Sequence, residues 1–270
     1  MIGQEGLCRW ALLFLQLKSV LIRRLKGFLR VSLWAIIRTN MSKTGILRSS
    51  LSRKYIMALT GLFLCLFLVG HLLGNLQLFV GGEEGRVAFN NYAQFMTTNP
   101  LVKVLSYLTY AGVIFHIIDG FVLTIQNRKA RPIKYVVEKG NLNSSWASRN
   151  MAVLGTILLV FLVSHMQSFW YVMHFGEIEI IDGVKDLHSV TLDFFNPAIN
   201  NLAAVMTGLY VFAMLSMSFH LNHGFQSAFQ TMGVNHPKYT PVINFVGKAF
   251  SILIPAGFAS LPIYLFIIQS

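Results

Sequence analysis

Five apolar runs, each long enough to cross a bilayer, constrain this chain more than any other feature. A spanning helix needs about 20 residues at 1.5 Å rise each. The runs cover about residues 55–80, 104–125, 151–175, 202–225 and 249–268. In hydrocarbon every backbone polar group must be satisfied within the protein, which leaves helices as the economical solution for such runs. The expected fold is therefore an all-α membrane protein of five transmembrane helices. Pro255, Gly257 and Pro262 fall inside the fifth run, and spanning helices tolerate such residues. Composition agrees: 12% of residues are charged, about half the share of a soluble domain, and mean hydropathy is +0.59. The two cysteines, Cys8 and Cys65, exclude a disulfide scaffold and a Cys-rich metal cluster.

The net charge of +12 would suggest nucleic acid in a soluble protein; its distribution here reads as topology. Nineteen of the 22 Lys and Arg precede the first run or lie between the second and third and between the fourth and fifth. Only Arg86, Lys103 and Lys185 lie in the other two connections, which hold seven of the ten acids. The positive-inside rule then places the N-terminus in the cytoplasm and the C-terminus outside. Residues 1–40 form a basic extension with one acid, Glu5, and no run of spanning length. A surface helix and a transit peptide are two readings of it. The favoured expectation is that translation starts at Met41, that residues 1–40 are not native, and that 41–270 form the five-helix domain.

Polar residues inside the runs are few. Ionisable ones at membrane depth are costly and point to function by default; the ordinary alternative is a neutral His that hydrogen-bonds a neighbouring helix. His71 lies in the first run, His116 in the second, His165 in the third, and His220 and His223 in the fourth. His174 ends the third run, and His188 and His236 lie in connections. Depth sorts them. His71 is 16 residues past Tyr55, roughly 24 Å from the inner end, and His165 is 15 past Asn150, roughly 22 Å. His116 and His220 each lie 11 residues from the inner ends at Asn127 and Thr231, roughly 16 Å. Two layers result, each with one His from each of two helices. Two bis-histidine b-type haems require that arrangement, with neutral imidazoles fixed through the second ring nitrogen. Gly74, Gly120 and Gly224 occur about one turn from His71, His116 and His220, where a flat ring could approach a helix closely. The expected fold is thus a haem-binding bundle.

The segments SRKYIMALTGLFL, GHLLGNLQLF, HIIDGFVLTIQNRKARP and FHLNHGFQSAFQTMGVNHPKYTP, with His165 in the third run, carry a resemblance. Over about residues 45 to 270 the sequence resembles the cytochrome b subunit of succinate dehydrogenase or fumarate reductase in its single-chain, five-helix, dihaem form. That resemblance implies two haem b groups: a distal one held by His71 and His165, and a proximal one held by His116 and His220. It gives the ligand role to the first His of FHLNHG, so His223 is expected at a haem propionate or the inner surface. It also implies a flavoprotein subunit and an iron–sulfur subunit on the cytoplasmic face of a bacterial inner membrane. Menaquinone is the expected quinone. No succinate-oxidising site is expected in this chain, since no dinucleotide fingerprint or carboxylate–His cluster is visible in a soluble segment, and no nucleic-acid role is expected.

Asn75, Gln77, Gln167, Trp170 and His174 lie at the outer depth and are candidates for lining a quinone site. Asp119, the only carboxylate in a run, is read either as a proton carrier near the proximal pair or as the partner of a basic residue such as Arg53 or Arg128. Cys65 is expected only to pack. The alternatives are a dihaem anchor of another quinone-linked dehydrogenase and a transporter that uses the intramembrane His and Asp as a proton relay.

Overall fold

The computed structural model describes residues 49–130 and 144–270; residues 1–48 and 131–143, and with them the N-terminal extension, lie outside the described residues. The chain divides into two compact units, Met1–Ser52 and Arg53–Ser270. Of the first only Ser49–Ser52 is described, where Ser49 Oγ accepts from the Ser52 amide at 3.1 Å.

The described chain is all-α but for one two-residue hairpin. Its elements are α1 (Ser50–Asn75), continued by a 3₁₀ turn over Leu76–Phe79; α2 (Gly82–Thr98); α3 (Pro100–Lys129); α4 (Trp146–His165); a π-helical stretch over Met166–Tyr171; α5 (Val172–Phe175); β1 (Ile180–Ile181) antiparallel to β2 (Val184–Lys185); α6 (Leu187–Phe195); α7 (Ala203–Thr231); and α8 (Thr240–Ile268). Among the described residues five segments are long and apolar enough to span a membrane: Ser50–Phe79, Pro100–Lys129, Trp146–Phe175, Ala203–Thr231 and Thr240–Ile268. All five expected spans are present, each longer than its apolar run. The reason is physical. Apolar residues mark the hydrocarbon core, whereas a 30-residue helix reaches roughly 45 Å, the thickness with headgroups included. The added turns carry the basic side chains of Arg53, Arg128, Lys129 and Arg149.

One face of α1 buries Ala58, Cys65 and Leu72, seven residues apart, while Leu59, Leu66 and Leu73 are 57%, 73% and 62% exposed. Seven residues are nearly two helical turns, so each set forms a stripe, and the two stripes lie about 100° apart around the helix. The outward Leu stripe suits a lipid solvent, and Cys65 takes the packing role expected of it. Pro255 and Pro262 sit inside α8 and both are buried. The backbone of Gly257 between them lies so close to Leu72 of α1 that a Cβ there would stand 2.8 Å from its Cδ2.

The two acid-bearing connections are not plain loops. They fold into a cap built from α2, the hairpin and α6. Glu83 and Glu84 occupy the first turn of α2, where acids suit the helix dipole. Asp186 caps α6 by accepting from the Ser189 amide at 3.2 Å and from its hydroxyl at 2.7 Å. Asn90 of α2 donates to Asp186 at 2.7 Å and accepts from the His188 amide at 2.9 Å. Arg86 pairs with Glu83 and stands 3.7 Å from Asp186. Beneath this cap lies the main core: Leu72, Leu78, Phe89, Phe195, Tyr210, Leu261 and Leu265. We call this the acidic end of the bundle and the opposite one the basic end.

Candidate functional site

Four helices bring four histidines together as two separate pairs. His71 of α1 and His165 of α4 lie with ring centroids 5.8 Å apart at an interplanar angle of 81°. His116 of α3 and His220 of α7 lie 6.3 Å apart at 63°. Two imidazoles that bind one metal from opposite sides, with bonds of about 2.0 Å, place their centroids roughly 6.3 Å apart. Both separations are near that value. Among the described residues no three His, Cys, Asp or Glu gather into a metal cluster. Each pair therefore offers two ligands, which suits a metal that brings its other ligands with it, as in a macrocycle.

The acidic-end pair is wrapped in aromatic rings. His71 stacks on Phe67 at 5.3 Å and lies 5.6 Å from Phe258. His165 stacks on Phe161 at 5.6 Å and lies 5.3 Å from Phe169. The Tyr210 hydroxyl of α7 is 3.4 Å from His165 Nδ1. The π-helical stretch starts at the residue after His165; such bulges cluster at functional sites because they re-aim the side chains around them.

The basic-end pair has a different shell. Thr60 Oγ1 of α1 is 3.2 Å from His116 Nδ1. A Cβ on Gly61 would stand 3.3 Å from His116 Cε1, and one on Gly155 would stand 3.8 Å from His220 Cε1. His220 Nδ1 is buried without a hydrogen-bond partner. An orphaned ring nitrogen in apolar surroundings is costly, and a ligand or water at that ring would relieve the cost. The donor set and the spacing would suit a haem iron between the two rings of each pair.

The glycines one turn from the histidines differ in the space beside them. The space beside Gly74 is filled by the Tyr92 ring; Gly120 faces Met57, and Gly224 faces nothing within 4 Å. Gly61 and Gly155 make a further close approach to the rings, each from a neighbouring helix. His223 borders an open cleft of about 280 Å³ with Trp146, Phe219, Asn222 and Gln226; the ring opposite His116 is that of His220. Asp119 is bound to Arg53, Oδ1 to Nη1 at 2.9 Å, as its pairing reading expected.

Of the quinone candidates, Asn75 and Gln77 donate to the carbonyls of His71 and Gly74 at 2.8 and 3.2 Å. Gln167 is exposed. The Trp170 indole donates to the Tyr110 hydroxyl of α3 at 2.8 Å and stacks on His174 at 4.6 Å. Thr60, Tyr110 and Tyr210 were not singled out from the sequence. Their signal was available in kind, as hydroxyls within apolar runs, but the helix facing each one was not. Comparison with protein-family models, with curated proteins and with solved structures gives no match.

Proposed function

We propose that this chain is the dihaem cytochrome b membrane anchor of a succinate:quinone oxidoreductase, connecting an iron–sulfur subunit to membrane quinone. One observation carries the reading: four spanning histidines from four helices meet as two pairs, at 5.8 and 6.3 Å. His71 and His165 would hold the distal haem, and His116 and His220 the proximal one. Haem b bound there supplies one-electron transfer. The chain's own residues do the rest. The aromatic shell around His71 and His165 excludes water, and Thr60 and Tyr210 hold ring nitrogens. Arg53 neutralises Asp119 one turn from His116, which leaves the described spans without a free carboxylate for the proton relay a transporter would need.

In this reading the basic end faces the bacterial cytoplasm and receives the iron–sulfur and flavoprotein subunits. Menaquinone reacts toward the acidic end, where Tyr110, Trp170 and His174 form one connected group. The reading is tested by purifying the tagged chain from its native membrane in mild detergent. The expected preparation contains both soluble subunits and two haem b per chain, and its haem absorption is reduced on adding succinate. A colourless preparation would overturn the cytochrome reading; a haem protein that succinate does not reduce would overturn the succinate-linked one.

A further inference from the structure

We propose that Thr60 and Tyr210 are positioning residues, which act through His116 and His165 to fix which ring nitrogen faces the metal at each pair. The inference rests on the dihaem reading and deepens it. It starts from counting protons at Thr60. That hydroxyl has one proton and stands 2.7 Å from the Ile56 carbonyl and 3.2 Å from the Met57 carbonyl. The Ile56 carbonyl is the nearest acceptor by 0.5 Å, so the hydroxyl donates there. In the contact to His116 Nδ1 at 3.2 Å the hydroxyl is then the acceptor and Nδ1 the donor, and the Met57 carbonyl also accepts from this ring. A neutral imidazole with its proton on Nδ1 has its lone pair on Nε2. Thr60 therefore prepares His116 to ligate through Nε2.

Tyr210 does the same work less rigidly. Its ring is held by Phe161 at 4.9 Å and Phe195 at 5.2 Å, so its hydroxyl is fixed beside His165 Nδ1. A tyrosine hydroxyl can donate or accept. Ligation through Nε2 makes Nδ1 a donor and Tyr210 the acceptor. In both pairs an acceptor on Nδ1–H increases the basicity of the ligating nitrogen and favours the oxidised metal. His220, whose Nδ1 has no partner, lacks this support, so the proximal pair has its anchored ring on α3.

The test is a spectroelectrochemical titration of the assembled complex, with the two haem components resolved. Thr60→Val removes the side-chain acceptor at nearly constant volume and leaves only the Met57 carbonyl, and its expected effect is a higher midpoint potential for the proximal component alone. Thr60→Ser keeps the hydroxyl and is expected to restore the wild-type value. Tyr210→Phe is expected to raise the distal component alone. If Thr60→Val leaves both midpoints unmoved, or if either substitution moves both components together, the assignment is overturned. Failure of Thr60→Ser to restore the potential would reduce Thr60 to a packing residue and also overturn it. A wild-type protein without two low-spin components would overturn the dihaem reading, and this assignment with it.

Discussion

Asp119 and Arg53 meet across α3 and α1 at 2.9 Å, with side chains 8% and 20% exposed. Neither charge would be tolerable alone at that depth. Asp119→Leu leaves Arg53 unpaired and should lower stability by about 1–3 kcal/mol, less than for a fully buried pair because Arg53 is partly exposed. Asp119→Asn keeps an acceptor for Arg53 and should cost less. Thermal unfolding of the detergent-solubilised protein would show the order; equal midpoints for the two variants would contradict it. The histidines, and Asp119 as a candidate partner for Arg53, were legible from sequence because each is a polar residue in an apolar run, with a depth that follows from 1.5 Å per residue. Thr60 and Tyr210 were not, since their roles depend on which helix faces which, and depth alone does not fix helix rotation.

At the scale of elements, α2 and α6 form the cap, and their contacts are electrostatic as well as apolar. Asp186 is buried, which raises its carboxyl, but hydrogen bonds from Ser189 and Asn90 and the charge of Arg86 outweigh burial and hold it below its ordinary value. His188 is held below its ordinary value by burial, only partly offset by Asp186. Both groups favour the deprotonated form in the folded cap. The stability they contribute is present above the unfolded values. It falls first as pH drops below the usual His value of about 6.5 and again in the carboxylate range. Amide exchange over residues 82–98 and 187–195 should therefore speed up between pH 7.5 and pH 5 relative to α7; a pH-independent ratio would contradict this.

Packing within the cap gives a second element-scale prediction. A Cβ on Gly85 would collide with the Val80 carbonyl oxygen, whereas one on Gly70 of α1 meets nothing within 4 Å. Gly85→Ala should destabilise by about 2 kcal/mol or more through forced backbone movement. Gly70→Ala should be neutral or stabilising by up to about 1 kcal/mol. Thermal unfolding of the two variants checks the contrast, and similar midpoints would contradict it. The five spans were legible because they depend on composition over about 20 residues. The cap was missed because its apolar residues are interrupted by Asn, Asp and Glu that are used in caps and cross-helix bonds.

At the scale of the molecule, the two histidine pairs lie at different depths, one near the ends of α1 and α4 beneath the acidic cap, the other near the middle of α3 and α7. If reducing subunits dock at the basic end and quinone takes its protons at the acidic end, turnover moves charge across the bilayer. Each charge moved is worth about 2.3 kcal/mol per 100 mV, so an electron pair is worth about 4.6. Succinate oxidation by menaquinone should then be slowed by uncoupler in intact cells and not in detergent. Equal intact-cell rates with and without uncoupler, with menaquinone the only acceptor, would contradict the assignment of quinone to the acidic end. Orientation was read from nineteen basic residues against three, a count legible in the sequence alone.

The most direct test of the central claim is a redox titration of the haem absorption in the wild-type complex and in four variants: His71→Ala, His165→Ala, His116→Ala and His220→Ala. Two components are expected in the wild type. His71→Ala and His165→Ala should each abolish the same one, and His116→Ala and His220→Ala should each abolish the other, with His223→Ala keeping both. Loss of one common component from His71→Ala and His116→Ala, or loss of a component from His223→Ala while His220→Ala retains both, would contradict it.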